Sequence, residues 1–451
     1  MNNKIFTLVS LVLLSVTGFS QSQDTLRFSF MEAVKYAVKN NPQLEATKLN
    51  EESNRYKIKE IKASALPQIT GSGNGTDNFQ RATQLLPGEM LGQPGKNIPV
   101  QFGTEYVYGS TVQLNQALFS PSLSIGIKAA KESQGYYELQ TFKTKEELIY
   151  SVINVCVQMQ MLEKQQDLIT GNIDRMKKLL EITTVQYNEG IIKKVDLEQL
   201  KVNYTNLQTQ QYSTNISINQ LLNNLKILMN IDVDQPMVIK AEVNTYSVEP
   251  ISQQLFLEAN TDLNILDKQI QLQKLNTRNI KAGYLPTVSF SANYGRQWQT
   301  NELFQSSLTS GFSSGYYAVN VSIPIFDGLS KRNKIKQSDV SLKQLNLNKE
   351  YLIKNVQNQF KTAKDNLTQN QNILHAQDQN MKVAEELYNV AKLSYTEGIS
   401  SLSELINAEN GLREAQVQYL TAMLQINLAE VETMKASGQL SQLIKAEVPN
   451  K

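Results

Sequence analysis

The sequence has few of the residues from which reactive sites are usually built. Among 451 residues there is one cysteine, Cys156, and one histidine, His375. These counts exclude a disulfide framework and a metal site made from several Cys and His ligands. Cys156 lies on an apolar helical stripe and is interpreted as a buried small hydrophobic side chain. His375 lies on a polar helical surface without the partners of a catalytic triad. We therefore expect no enzyme activity, no cofactor and no bound metal.

Net charge is nearly absent as well, since 44 basic residues stand against 42 acidic ones. No basic cluster is interleaved with aromatic residues, so nucleic acid is a poor candidate partner. A hydrophobic run occurs only at the N-terminus, from Ile5 to Val16, and is shorter than the roughly 20 residues of a membrane-spanning helix. Because Lys4 precedes this run and small residues follow it, the pattern predicts a signal peptide over residues 1–20.

The most informative feature that is present is a duplication. The second half of the chain repeats the first at an offset of about 208 residues. Three anchors recur, namely Leu66-Pro67 as Leu285-Pro286, Phe119 as Phe326, and Tyr187-x-x-Gly190 as Tyr395-x-x-Gly398. The duplication predicts one architecture built from two halves. These are a first repeat over 21–230 and a second over 252–437, with a linker over 231–251 and a tail over 438–451.

Each repeat is predicted to contain one long helix and two shorter ones. Apolar residues recur in steps of three and four from Val152 to Tyr187, which is typical of a coiled-coil seam. The long helices are predicted over 121–187 and 328–397, and the shorter ones over 42–65, 195–230, 261–283 and 401–437. Two shorter helices nearly match one long helix in length, so each repeat is predicted to form a long antiparallel coiled-coil hairpin. Its tip turns lie at 187–192 and 395–400.

Between Pro67 and Phe119, and again between Pro286 and Phe326, the apolar period changes from that of a helix to that of a strand. The two segments predict β-hairpins at about 67–119 and 286–326 with one apolar and one polar face, and Trp298 fits an interfacial girdle. Such strands are typical of a transmembrane β-barrel, which four strands cannot close, so the chain would have to oligomerise. Two copies would supply eight strands and three would supply 12. The alternative is a secreted coiled-coil structural or adhesion protein without a pore.

This duplicated order, together with Asn40-Asn41-Pro42 before the first helix and the two Tyr-x-x-Gly turns, resembles the TolC family of outer membrane efflux proteins. The resemblance implies a mainly α fold with a small β part, in which three copies form a 12-stranded barrel continued by a helical tunnel. It implies a passive channel in the outer membrane of a Gram-negative cell, with a long periplasmic extension. Its partners would be outer membrane lipid, a periplasmic adaptor and an inner-membrane transporter. Drug, metal-ion and protein export all remain open.

The resemblance also places a gate and the adaptor contacts at the helical tips. The corresponding positions are Tyr187, Gly190, Asp196, Tyr395, Gly398, Ser400, Glu404 and Asn407. Asp196 and Glu404 would ring the aperture, or would only complement the dipoles of the helices that they begin. Ser400 stands where the best-known member of the family has an arginine in its closing latch, and Asn407 replaces a second aperture acid. We therefore expect hydrogen bonds and apolar packing around Ile399 and Leu402 to hold a closed tip.

Overall fold

The computed structural model describes residues 25–92, 94–240, 255–303 and 311–440. The predicted signal peptide lies outside these ranges. The chain divides into two compact units. The first, the helical unit, comprises residues 1–46, 142–261 and 353–451, and the second, the strand unit, comprises residues 47–141 and 262–352.

Seven α-helices occur in the described residues. They are α1 (Phe30–Asn40), α2 (Pro42–Ala63), α3 (Pro121–Asn188), α4 (Lys194–Met229), α5 (Thr261–Ala282), α6 (Ser330–Thr396) and α7 (Leu402–Ser437). Helices α3 and α6 have 68 and 67 residues and contain no proline beyond the first position of α3, so nothing interrupts their hydrogen bonding. At the start of α2, Asn41 Oδ1 accepts a hydrogen bond of 3.0 Å from the Leu44 amide, and Pro42 takes the first helical position, where its missing N–H costs nothing.

The strands are β1 (Leu26–Ser29), β2 (Gln68–Asp77), β3 (Thr83–Pro87), β4 (Asn97–Gln101), β5 (Tyr106–Phe119), β6 (Met237–Lys240), β7 (Thr287–Thr300) and β8 (Phe312–Ser322). The strand unit contains an antiparallel sheet in the order β2-β5-β7-β8. Within the described residues, β2 and β8 each pair on one side only. The sheet is therefore open, with two edges whose backbone groups have no partner strand in the part of the chain that the structure describes.

The two faces of this sheet differ sharply in polarity, and its register shows which side chains share a face. One face carries an apolar and aromatic set, namely Tyr108, Val112, Leu114, Val288, Phe290, Ala292, Tyr294, Trp298, Tyr317, Val319 and Val321. The opposite face carries mostly small and polar residues, among them Thr70, Ser72, Thr111, Gln113, Ser291, Asn293, Ser314 and Asn320, together with Val107, Phe312 and Tyr316. We call these the apolar face and the polar face. The alternation predicted from the sequence is confirmed.

A buried core at one end of the helical unit includes elements that the sequence analysis did not predict. Strand β1 pairs in parallel with β6, and α1 packs beside them. Both strands have four residues, too few to show a period, and β6 lies in the segment predicted as a linker. Leu440, in the predicted tail, is 2% exposed in the same core. Cys156 is buried there as expected, and burial raises the pKa of its thiol to about 12.

The predicted fold class is confirmed, since long helices accompany a small open sheet. One strand is shorter than predicted. Strand β8 ends at Ser322, whereas the alternation in the sequence continues to Ile325, because Pro324 has no N–H to donate to a ladder. The loop between β2 and β5 also contains a two-stranded ribbon of β3 and β4 that was not predicted. Across the described ranges, no helix has both the length and the apolarity to span a membrane.

Candidate functional site at the helical tips

Two turns join the long helices to the helices that follow them, and both have the same backbone geometry. Gly190 has φ +70° and Gly398 has φ +71°. The amide after each glycine reaches back to the helix, since Ile191 N donates to Gln186 O and Ile399 N donates to Ser394 O, each at 2.8 Å. This is a Schellman arrangement, in which a left-handed residue ends the helix and satisfies its last carbonyls. Each turn therefore requires a residue that adopts positive φ, which explains why glycine occupies positions 190 and 398.

A substitution at Gly398 tests this requirement. We expect Gly398→Ala to destabilise the chain by about 1 kcal/mol or more, because a Cβ is disfavoured at positive φ. Gly411→Ala is the matched control. Gly411 lies inside α7 with nothing within 4 Å of an added Cβ, so alanine there should stabilise by about 0.5–1 kcal/mol. Thermal unfolding followed by circular dichroism checks both signs, and equal effects of the two substitutions would contradict the assignment.

The predicted acids Asp196 and Glu404 occupy the same position in their helices, the third residue after the N-cap. Ser401 caps α7 and its hydroxyl accepts a hydrogen bond of 3.3 Å from the Glu404 amide. Lys193 takes the corresponding place before α4 and makes no side-chain cap. Glu404 is exposed and Asp196 is half-buried. Both carboxylates therefore complement a helix dipole, and both remain accessible to ions.

Behind the turns, helices of both hairpins share one buried apolar cluster. It consists of Met176, Leu200, Leu207, Leu402, Leu405 and Ile406, which come from α3, α4 and α7. Side chains of α6, including Tyr388 and Tyr395, pack against it. We call this set the tip cluster. Leu402, expected from the sequence to pack at the tip, is part of it, whereas Ile399 is 81% exposed.

A hydrogen bond joins the two hairpins beside this cluster. The Tyr395 hydroxyl donates to Gln186 Oε1 at 2.7 Å, linking α6 to α3. The equivalent residue of the first repeat, Tyr187, is an exposed side chain. The two turns are thus alike in backbone but different in side-chain contacts. Among the other predicted residues, Asn407 is exposed, and the Ser400 hydroxyl is buried without a hydrogen-bond partner in the described part of the chain.

A charged group at the tip was not found by sequence reasoning. Glu409 of α7 is 5% exposed and its Oε1 lies 3.4 Å from Arg175 Nε of α3. The Arg175 guanidinium also contacts Asn172 and lies 5.9 Å from the centre of the Tyr388 ring. Burial, together with the negative charge of Glu409, raises the pKa of Tyr388. The available signal was the interruption of an apolar stripe, because Glu409 follows Leu402, Leu405 and Ile406 at helical spacing.

This ion pair joins the first hairpin to the second. The Glu409 carboxylate is buried while the Arg175 side chain remains 37% exposed, so the cost of removing Glu409 from water offsets much of the attraction between the two charges. A charged residue at one seam position has another effect, which is to favour a single register between the helices. Arg175 and Glu409 belong to different hairpins. They therefore fix how the second hairpin lies against the first.

Apolar side chains of these helices and of the two turns are also exposed on the surface of the single chain. Ile182, Val185, Ile191, Val195, Val390, Leu393 and Ile399 are all more than half exposed. Contiguous exposed apolar residues usually mark a protein interaction surface. The tips thus combine a packed interior with a surface that is suited to a protein partner.

Comparisons with known proteins show which proteins this chain resembles. A sequence model of the family described as outer membrane efflux protein matches residues 33–230 and 253–439. Outer membrane protein TolC of Salmonella enteritidis is 18% identical, with 96% of this chain and 86% of that protein covered. A probable efflux pump outer membrane protein, TtgC of Pseudomonas putida, is 20% identical, with coverages of 93% and 87%. The alkaline protease secretion protein AprF of Pseudomonas aeruginosa is 19% identical, with coverages of 89% and 84%.

Solved structures share the fold. The outer membrane protein VceC of Vibrio cholerae superposes with a TM-score of 0.72 at 14% identity, covering 91% of this chain and 96% of that one. The CmeC outer membrane channel of Campylobacter jejuni gives a TM-score of 0.72 at 16% identity, covering 93% and 89%. The chain therefore shares the fold of these two outer membrane proteins over nearly its whole length.

Proposed function

The chain belongs to the outer membrane efflux protein family, and we propose that three copies of it form one passive channel in the outer membrane. The channel is the outer membrane component of a tripartite efflux or type I secretion system. Energy for transport comes from the other components, since the chain itself is a conduit. The matched regions cover both repeats, so the assignment applies to the tip-bearing helices and to the strands alike.

The open sheet is the observation that carries the proposal. Its apolar face suits lipid and its polar face suits a wet lumen, as in membrane barrels. An open edge in lipid would leave backbone groups unpaired at several kcal/mol each, so β2 and β8 must pair with other copies. Three copies supply 12 strands. A secreted coiled-coil spacer, the alternative considered from the sequence, has no use for such a sheet.

The exposed surface of the tips and the similarity to known efflux proteins together indicate the partners. The exposed apolar residues at the tips supply a surface for a periplasmic adaptor, through which the channel joins an inner-membrane transporter. Relatives are named for efflux pumps and for secretion of alkaline protease. Efflux of small molecules, including metal ions, and secretion of a protein are both compatible with these relatives.

The gate consists of the tip residues in two roles. The tip cluster, with the Tyr395–Gln186 hydrogen bond and the Arg175–Glu409 pair, holds the hairpins together in the closed state. Gly190 and Gly398 shape the turns, and Tyr187, Ser400 and Asn407 lie around them. Asp196 and Glu404 supply negative charge to the aperture. In a threefold assembly each carboxylate is present three times, which favours cations.

Neutralising Glu404 tests whether the aperture carboxylates favour cations. We expect Glu404→Gln to lower the ratio of cation to anion permeability, because three charges leave the narrowest part of the pore. Asp196→Asn should act in the same direction and more weakly, since that side chain is half-buried. Reversal potentials across a planar bilayer under a KCl gradient measure the ratio. Glu414→Gln, which removes an exposed carboxylate ten residues farther along α7, is the control. Equal shifts from Glu404→Gln and this control would refute the role.

The proposed function as a whole is tested on the purified chain. We expect it to require detergent for extraction from membranes, to run as a trimer in light scattering, and to conduct ions after insertion into planar bilayers. A chain that remains a monomer without detergent would support the coiled-coil spacer instead. A trimer that never conducts would support the proposed assembly and contradict the proposed channel function.

A further inference from the structure

The four helices of the strand unit lie side by side in the same order as the strands of its sheet. Helix α2 leads into β2, α3 follows β5, α5 leads into β7, and α6 follows β8. Side-chain contacts join each helix to the next, namely Asn54–Gln134 between α2 and α3, Glu132–Lys268 between α3 and α5, and Gln273–Ser338 between α5 and α6. The outer helices of this unit are therefore α2 and α6, just as β2 and β8 are the outer strands.

Each outer helix is packed on one face and carries exposed apolar side chains on the opposite face. Asn54 of α2 and Ser338 of α6 are buried on the packed faces. At about 100° per residue, the opposite face of α2 carries Leu49 and Tyr56, which we call the α2 stripe. The opposite face of α6 carries the α6 stripe, which consists of Val340, Leu347 and Tyr351. All five side chains are more than half exposed in the single chain, as is typical of a surface that binds another protein.

The charged residues nearest to the two stripes have opposite signs. In the strand unit, the charged side chains within about 60° of the α2 stripe are the acids Glu52 and Glu60, and Glu60 also contacts Lys57 of its own helix. Those within the same angle of the α6 stripe are the bases Lys336 and Lys343. Opposite charges beside apolar seam positions determine which helices pair and in which register. Each stripe therefore complements the other, and a second copy of the chain supplies both.

The two stripes also lie at matching distances from the sheet. Helix α2 ends beside the sheet at Ala63 and α6 begins there at Ser330, so the two helices run in opposite directions. Tyr56 and Val340 lie 7 and 10 residues from those ends, and for Leu49 and Leu347 the counts are 14 and 17. Three residues correspond to about 4.5 Å, which is less than one helical turn. Because the offset is the same for both pairs, one register brings both pairs together.

We propose that the α6 stripe of one copy packs antiparallel against the α2 stripe of the next copy. Val340 then lies opposite Tyr56, Leu347 opposite Leu49, and Lys343 beside Glu52. The inference rests on the proposed function, because the assembly requires β8 of one copy to pair with β2 of the next. That strand pairing brings α6 and α2 of neighbouring copies side by side, since each helix is joined directly to its edge strand. The helical wall is thus closed by the same neighbours that close the barrel.

Disulfide crosslinking in membranes tests the register of this seam. A disulfide requires two Cα atoms within about 7 Å of each other. We expect a chain with both Leu49→Cys and Leu347→Cys to give covalent dimers and trimers on a denaturing gel after mild oxidation. The parent, with only the buried Cys156, should run as a monomer. The matched control pairs Leu49→Cys with Val340→Cys. Position 340 lies about 10 Å from position 347 along α6, so this pair should also give monomers.

Exchanging the charges beside the stripes tests the same seam without cysteines. We expect Glu52→Lys and Lys343→Glu each to lower the temperature at which the trimer dissociates, because each variant places like charges next to each other. The chain with both substitutions should regain the parent's dissociation temperature. Mobility of unheated and heated samples on gels measures this temperature. A double variant that is no more stable than the single variants would overturn the proposed register.

Planar-bilayer conductance of the reduced variants, measured on the same preparations, reports separately whether a channel forms. Conducting trimers in which the pair at positions 49 and 347 does not crosslink would overturn the seam and leave the proposed function intact. The same holds if the pair at positions 49 and 340 crosslinks equally well, because the register would then be wrong. A parent that remains a monomer would overturn the proposed function, and with it the seam between copies.

Discussion

Arginine in place of Val319 should keep the chain from assembling in a membrane. Val319 lies on the apolar face of β8, directly opposite Phe290, and is 61% exposed in the single chain. An arginine at the middle of a lipid-facing strand costs about 2–4 kcal/mol, and the proposed trimer contains the residue three times. The combined cost is similar to the whole stability of an ordinary domain. We therefore expect no heat-labile trimer in the membrane fraction and no conductance.

Asn320→Arg is the matched control for this experiment. Asn320 is the next residue of the same strand but belongs to the polar face, where its Nδ2 donates to Ser291 Oγ at 3.0 Å. A lumen-facing arginine remains hydrated, so we expect this variant to assemble and to conduct with reduced cation preference. Membrane fractionation, gel mobility without heating and planar-bilayer recording compare the two. Assembly of Val319→Arg together with failure of Asn320→Arg would reverse the assignment of the faces.

These two residues show how much of the strand unit is readable from the sequence. A period of two assigns each side chain to a face without any knowledge of the partner strands, because alternation is a property of the single strand. The long helices are equally readable, since their apolar seam repeats over many turns. Even β2, whose alternate glycines Gly71, Gly73 and Gly75 leave almost no apolar signal, is bounded by Pro67 and pairs fully with β5. The position of this strand therefore follows from Pro67 and from the pairing with β5, and not from an apolar pattern of its own.

Contacts between residues that are far apart in the chain could not be predicted from the sequence. Arg175 and Glu409 are 234 residues apart, and Tyr395 and Gln186 are 209 apart. Each pair depends on how one hairpin lies against the other, and helical periodicity within either hairpin carries no information about that. The parallel pairing of β1 with β6 was missed for the same reason. The turns were found because their glycines are required locally, whatever surrounds them.

The two repeats consequently have the same backbone geometry at their tips but different side-chain contacts. Gly190 and Gly398 have the same geometry, but Ser401 caps its helix where Lys193 does not, and Tyr395 joins the neighbouring hairpin where Tyr187 is exposed. A trimer would therefore present six turns of two alternating kinds. The second kind makes the polar contact with the neighbouring hairpin, through the Tyr395 hydroxyl and Gln186.

Leu405→Ala should open the channel far more than Tyr395→Phe does. Leu405 is 3% exposed in the tip cluster, and truncating a buried leucine costs about 2–5 kcal/mol. Loss of the Tyr395 hydroxyl removes one hydrogen bond, with a net contribution of about 0.5–1.5 kcal/mol. Since about 1.4 kcal/mol is a tenfold change in an equilibrium, the leucine variant should shift the balance of closed and open states by well over tenfold. Single-channel recording of the closed-state conductance compares the two.

Leu225→Ala separates gating from general destabilisation. Leu225 is 0% exposed in the other buried core of the helical unit and lies on α4, near the end remote from the tip. We expect it to lower the melting temperature as much as Leu405→Ala and to leave the closed-state conductance unchanged. If Tyr395→Phe opens the channel more than Leu405→Ala, a polar latch rather than the tip cluster holds the gate. The tip cluster buries six apolar side chains beside a single Tyr395–Gln186 hydrogen bond, so apolar packing is the larger force at this tip and we expect the conductance to follow it.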